Sequence, residues 1–225
     1  MSPDQPNSMD QQKNIAKGNV SSSRWILTAI VQTVLLVMIV LVLRSPEIRT
    51  ATAKMDRPNP QIGPRSAPVT IVEFGDYGCQ SCLVWAAAGM RQQLLDKYGK
   101  NVRFVWADFP VITEESPKAA EAGRCAYDQG KFWEYQDFVY NNYQGITNTY
   151  LKLYAGAIGL DQAMFNQCLD SGAKAAEVNL DFTDAMVRSL HATPTFLINN
   201  KVQIVGLAPL AKFAAVIDPI LAAAH

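Results

Sequence analysis

Apolar and polar positions change their spacing several times along this chain, and each change marks an element. Residues 25–43 contain no Asp, Glu, Lys or Arg and are flanked by Arg24 and Arg44. At ~1.5 Å rise per residue, a helix over this run nearly spans the ~30 Å hydrocarbon core of a bilayer. Residues 1–24 are polar and aperiodic, which predicts a disordered tail. Residues 44–66 carry Pro46, Pro58, Pro60 and Pro64 among scattered charges, which predicts a semi-extended linker. From 67 to 225 the pattern is that of a folded domain. Residues 69–74 read as a buried strand, and Gly75-Asp76-Tyr77-Gly78 as a turn. Residues 81–98 have helical spacing, 102–108 alternate with β-branched and aromatic residues, and 110–113 connect. Helical spacing then recurs over 117–129, 131–141, 149–158, 162–170 and 174–190, punctuated by Gly130, Gly145, Gly159 and Gly172. Strand patterns return at 195–198 and 201–205 with a turn at Asn199-Asn200, and 209–224 reads as an amphipathic helix. Strand–helix–strand, helices over about 114–190, then hairpin and helix predicts an α/β domain with an all-helical insertion.

Composition narrows the classes. Lys plus Arg equals Asp plus Glu at 20 each, and no basic stripe exists, so nucleic-acid binding is not indicated. The apolar fraction of 49% owes its excess to 25–43. That run has two readings. As a cleaved signal peptide, it would use Ala51-Thr52-Ala53 as its small-residue site; yet a signal core is ~7–15 residues, and this site lies well beyond the run. A retained anchor is the expectation. Basic residues on both sides (Lys13, Lys17 and Arg24; Arg44, Arg49, Lys54 and Arg57) do not set its orientation. The cysteines do: a dithiol and two further cysteines suit an oxidising compartment. The expectation is a single pass through the inner (cytoplasmic) membrane, with the tail cytoplasmic and the main domain extracytoplasmic.

The chemistry centres on Cys79-Gln80-Ser81-Cys82. Between a strand and a helix, Cys79 falls at a helix N-terminus, where unpaired N–H groups and the macrodipole favour a thiolate. It is the candidate nucleophile. Cys82, one turn on and on the same face, is the candidate resolving thiol. The same spacing serves as half of a zinc site, but only one such pair exists in the chain. Glu73 lies six residues before Cys79, near the end of a strand buried on both faces. Burial would raise its pKa and suit it to accept a proton from Cys82; the alternative is an exposed strand-end charge. Pro194, in His191-Ala192-Thr193-Pro194-Thr195-Phe196, precedes a strand, where proline is tolerated. His191 reads as structural or surface, Trp85, Trp106, Phe132, Trp133 and Tyr135 as core. Tyr77 and Gly78 are read as exposed beside Cys79, bordering a substrate groove.

These motifs resemble the thioredoxin-fold DsbA-like proteins. The resemblance runs from 67 to the C-terminus, through Phe74-Gly75-Asp76 before the Cys-x-x-Cys, Arg103-Phe104-Val105-Trp106-Ala107-Asp108-Phe109-Pro110, Gly130-Lys131-Phe132-Trp133-Glu134-Tyr135 and Thr193-Pro194-Thr195-Phe196. It implies a thiol–disulfide oxidoreductase with a thioredoxin fold, a helical insertion and a cis Thr193–Pro194 bond facing the dithiol. It also implies Glu73 as proton acceptor and Thr193 as a residue tuning the sulfur. Cys125 and Cys168, both in the insertion, match a structural disulfide seen in some members; two separate buried thiols are the alternative. Gln80-Ser81 replaces the Pro-His common in strong oxidants of the group, so both directions of electron flow stay open. One is oxidation of exported thiol proteins, served by a quinone-linked membrane oxidase. The other is reduction or isomerisation, fed by an electron-donating transporter. A thioredoxin-fold metal-handling module is the third reading. No cofactor or resident metal is expected, and the protein is expected to be a monomer.

Overall fold

The computed structural model describes residues 25–26, 29–38, 40 and 59–223. The chain forms two units, 1–57 and 58–225. In the first, residues 29–38 are helical. Among the described residues no helix is long and apolar enough to cross a membrane. The expected tail lies outside the described residues, as do 27–28, 39 and 41–43 of the expected anchor and 44–58 of the expected linker.

The second unit is a five-stranded sheet with helices. Its strands are β1 (Gln61–Ile62), β2 (Val69–Gly75), β3 (Val102–Asp108), β4 (Thr195–Ile198) and β5 (Val202–Val205), in the order β1-β3-β2-β4-β5. β2 runs parallel to β3, pairing Glu73 with Trp106, and antiparallel to β4, pairing Glu73 with Phe196. The period of two along β2 puts Glu73 on the face of Val69 and Ile71. That face packs against α1 (Gln80–Ala87), α2 (Met90–Tyr98) and the C-terminal helix Leu210–Ala222. Trp85 of α1 anchors this layer. Its ring lies 4.6 Å from Phe196 and 6.0 Å from Phe213, and its indole N–H donates to the Ala208 carbonyl at 3.2 Å.

Two elements differ from the sequence reading. Residues 59–66, read as linker, belong to this unit: β1 pairs antiparallel with β3, and the Trp106 N–H donates to the Pro60 carbonyl at 2.9 Å. A two-residue strand is too short to show a period. The helix expected over 81–98 is two helices, broken at Gly89, whose φ of 65° is left-handed and costs glycine little. Leu83, Met90 and Leu94 continue the apolar face across the break, so spacing conceals it.

Between β3 and β4 lie five helices: α3 (Ser116–Asp128), α4 (Phe132–Asn141), α5 (Asn148–Ala157), α6 (Gln162–Asp170) and α7 (Ala175–Val187). The C-terminal helix is therefore α8. Cys125 of α3 and Cys168 of α6 are joined in a disulfide closing a separation of 43 residues. Chain entropy gives this about 4 kcal/mol as an upper figure. A buried polar seam fastens the insertion to the sheet. Arg124 donates to Asp108 at 2.6 Å, to Asp181 of α7 and to Asn59 at 3.0 Å. The Asp108 N–H donates to Asp181 at 2.8 Å, and the Trp106 indole to Asp108 at 2.6 Å. Burial opposes the Arg124 charge, but Asp108 and Asp181 more than offset it. Losing one partner of such a buried pair costs about 3–5 kcal/mol.

Gly75, the last residue of β2, is required by close packing. A Cβ there would stand 2.2 Å from the indole of Trp106, which is fully buried. Gly75→Ala is expected to lose about 2 kcal/mol of stability by urea unfolding, within the range for overpacking. An unchanged unfolding midpoint would mean that the indole yields freely.

Candidate active site

β2 delivers the chain to the turn Asp76–Gly78, and α1 begins immediately after it. Cys79 is the N-cap of α1, with φ −84° and ψ 116°. Its N–H donates to the Asp76 carbonyl at 3.1 Å, and its own carbonyl accepts the Leu83 N–H at 3.1 Å. Its thiol donates to the carbonyl of Thr193 at 3.2 Å. The Thr193–Pro194 bond is cis. Cys79 is 5% exposed and Cys82 0%. Glu73, Cys79 and Cys82 are thus close enough to perturb one another, and Cys79 meets the Thr193–Pro194 segment from more than a hundred positions away in sequence.

The two thiols differ in acidity. The Cys79 pKa is lowered from 9.0 to about 6. The largest cause is the hydrogen bond from the Cys82 side chain; burial opposes it, and Thr193 and the N–H groups of Cys82 and Ser81 add to it. The Thr193 hydroxyl is buried and makes no hydrogen bond of ordinary geometry. Cys82 is pushed well above the usual thiol range, by burial first and by its bond to Cys79 second. Glu73 is 2% exposed, and burial raises its pKa from 4.5 to about 8 despite the nearby positive charge of Arg91. A thiol of lowered pKa, a buried thiol of raised pKa and a buried carboxyl of raised pKa therefore stand together. This set can break and form a disulfide without a cofactor.

Two placements depart from the sequence reading, those of Tyr77 and Gly78. Tyr77 is 1% exposed, not a groove residue; its ring packs 5.9 Å from Trp106 and 5.5 Å from Tyr140. An aromatic directly before a reactive turn reads as surface unless a neighbouring helix covers it, and here α3 approaches through Gly123. A Cβ at Gly123 would lie 2.4 Å from the Tyr77 hydroxyl. Gly78 is half-buried, and His191 is exposed. Cys125 and Cys168 lie in the insertion and share no bond with the dithiol.

Sequence reasoning also missed three residues. Asp76, 1% exposed, accepts N–H bonds from Gly78, Val111 and Ile112. Tyr140 of α4 donates its hydroxyl to the Asp76 carbonyl at 3.4 Å. Arg91 stacks 4.4 Å over Trp133 and pairs with Asp137 at 2.5 Å and Gln136 at 2.9 Å, which fixes the charge that Glu73 senses. Asp76 alone had a signal, as an acid three residues before Cys79. Among the described residues no group of three or more His, Cys, Asp or Glu side chains could hold a metal ion.

A helix-capping cysteine facing a cis-proline loop on this sheet defines a class, the thiol–disulfide oxidoreductases of thioredoxin fold. The chain belongs to the thioredoxin family, whose model matches residues 56–218, and its structural neighbours are DsbA-like. It is similar to a thioredoxin-like oxidoreductase from Silicibacter pomeroyi DSS-3, at 26% identity and TM-score 0.66 over 73% of this chain and 94% of that one. It is also similar to oxidised BdbD from Bacillus subtilis, at 25% identity and TM-score 0.65 over 72% and 92%. Among curated proteins it is 34% identical over 139 residues to the Na(+)/H(+) antiporter NhaA of Herminiimonas arsenicoxydans, covering 62% of this chain and 22% of that protein. The chain spans about a fifth of the length of the curated relatives it matches.

Proposed function

We propose that this protein is a membrane-anchored, extracytoplasmic oxidoreductase that introduces disulfides into exported proteins. Cys79 is the nucleophile, Cys82 the resolving thiol and Glu73 the proton acceptor for Cys82. Thr193 and Pro194 form the surface that receives the substrate chain. The observation that carries the reading is the Cys79 sulfur at the α1 terminus, where the backbone N–H groups of Ser81 and Cys82 favour its ionised form. Donors aimed at this sulfur stabilise its thiolate and so the reduced form, and a protein with a stabilised reduced form is an oxidant. The uncharged run over 25–43 and the Cys125–Cys168 disulfide support an anchor and an oxidising compartment. Thiol-bearing exported proteins are the substrates, and a membrane oxidase renews the disulfide.

A glutathione redox titration tests direction. The potential is expected between the ~−270 mV of a reductant and the ~−120 mV of a strong oxidant, nearer the latter. A value at or below the reductant end would favour a reductase or isomerase fed by a membrane donor. Topology is tested separately: protease added outside spheroplasts should remove the domain, and protection would overturn the extracytoplasmic placement. Stoichiometric soft metal on the purified protein, without thiol exchange, would favour the metal-handling alternative.

A further inference from the structure

Asp76 occupies an unusual position. Its carboxylate is buried, and both oxygens are committed to backbone donors. Oδ1 accepts the Gly78 N–H at 2.7 Å; Oδ2 accepts those of Val111 at 2.7 Å and Ile112 at 2.8 Å. The main chain around it is used as fully. The Gly75 carbonyl accepts the Phe109 N–H at 2.8 Å, and the Asp76 carbonyl accepts both the Cys79 N–H at 3.1 Å and the Tyr140 hydroxyl at 3.4 Å. Behind Gly78 stands Ser116, whose hydroxyl would lie 2.9 Å from a Cβ there. The turn that carries Cys79 is thus framed by segment 109–116 and by α4 of the insertion, and Asp76 is the common partner.

We propose that Asp76 is a positioning residue of the exchange reaction: its carboxylate joins the motif turn to the 109–112 segment and thereby fixes where the Cys79 sulfur meets Cys82 and Thr193. Disulfide closure demands a narrow geometry at the two Cβ atoms, so a loosened turn slows it. The thiolate depends on donors aimed at one place, so a loosened turn destabilises the reduced form. The same carboxylate sets the place of Val111 and Ile112, residues that are 43% and 50% exposed beside the turn. Asp76 therefore ties the reacting sulfur to an apolar lip that a substrate chain meets. This inference rests on the reading of Cys79 and Cys82 as the exchanging dithiol.

Asparagine at this position makes a sharp test. It is isosteric, but its NH2 must replace one oxygen and face at least one N–H donor, so the turn loses one or two bonds and gains a repulsion. In the full chain, Asp76→Asn is expected to shift the glutathione equilibrium at least about three-fold toward the oxidised protein, and to slow exchange with a cysteine peptide about ten-fold. The thiolate absorbance of Cys79 should titrate at higher pH than in the wild type. All three are read at a temperature where circular dichroism shows the variant folded. A variant with a lower unfolding midpoint but unchanged equilibrium, rate and titration would overturn the inference, since Asp76 would then be structural only. Should Asp76→Asn not fold, Asp76→Glu decides: it keeps both acceptors but displaces them by one methylene, and is expected to shift the same equilibrium in the same direction by less; a folded variant with no shift would overturn the inference. Wild-type protein that does not exchange with glutathione would instead refute the dithiol reading itself.

Discussion

Cys82→Ala protein is expected to accumulate covalent complexes with its substrates, all of them linked through Cys79. The reason is the division of labour between the two sulfurs. The same mixed disulfide lies on the path in both directions. In oxidation a substrate thiolate bonds to the Cys79 sulfur, the Cys79–Cys82 bond breaks and Cys82 takes a proton from Glu73. In reverse, the Cys79 thiolate attacks a substrate disulfide and the mixed disulfide is released by Cys82. Its sulfur bonds to the Cys79 sulfur, the Cys79–substrate bond breaks, the substrate leaves as a thiolate, and the Cys82 proton passes to Glu73. Cys82 is fully buried and its acidity suppressed, so it reaches the thiolate only with a nearby acceptor. Removing it leaves attack intact and release absent. Turnover should fall on the order of 100-fold or more, and non-reducing gels should show high-mass bands that thiol reductant dissolves. Cys79→Ala should show none. Bands that persist in Cys79→Ala, or a Cys82→Ala protein that turns over normally, would reverse the assignment.

What the sequence discloses here is local. The switch from strand to helical spacing at Cys79 places the nucleophile at a helix terminus, and the proline before β4 places the facing loop. Both depend on residues close in the chain. The supports of the site depend on distant ones. Tyr140 reaches the Asp76 carbonyl across 64 positions, and Arg91 reaches Gln136 across 45. No period in a single sequence encodes such meetings. Burial misleads in the same way: Tyr77 follows Asp76 in an apparent surface turn, yet α3 comes close enough over Gly123 to cover it. The seam of Asn59, Asp108, Arg124 and Asp181 has no signature in the sequence, because charge pattern along the chain carries no sign of mutual burial. Gly89 was visible as a glycine, but a single glycine in a helical pattern lowers helix stability without requiring a break.

Glu73→Gln protein is expected to be more stable than the wild type at neutral and alkaline pH while exchanging disulfides more slowly. In the folded protein the Glu73 pKa is raised, from 4.5 to about 8, chiefly by burial. A raised acid holds its proton more tightly when folded. Its contribution is fully present below 4.5 and is lost as pH rises through 8, because the unfolded chain ionises freely and the buried carboxyl does not. At pH 7 the linkage amounts to about 3 kcal/mol, an upper figure for so buried a group. Glutamine stays neutral throughout, so the stability difference between variant and wild type should grow from pH 4.5 to pH 8 and then level. The oxidised forms should be compared, because Cys79 titrates in the reduced protein and acts with the opposite sign. Its pKa is lowered from 9.0 to about 6, so its contribution is present above 9 and lost as pH falls through 6. At pH 7 that favours the folded reduced state by roughly 1.4 kcal/mol as an upper figure, about tenfold in the redox equilibrium. Urea unfolding of both oxidised proteins across this range reads the Glu73 window directly. Stopped-flow release of a mixed disulfide reads the kinetic cost, since the substituted amide accepts no proton from Cys82. A stability difference that does not change with pH would mean that the Glu73 carboxyl is solvated, and its place as proton acceptor beneath the dithiol would fall with it.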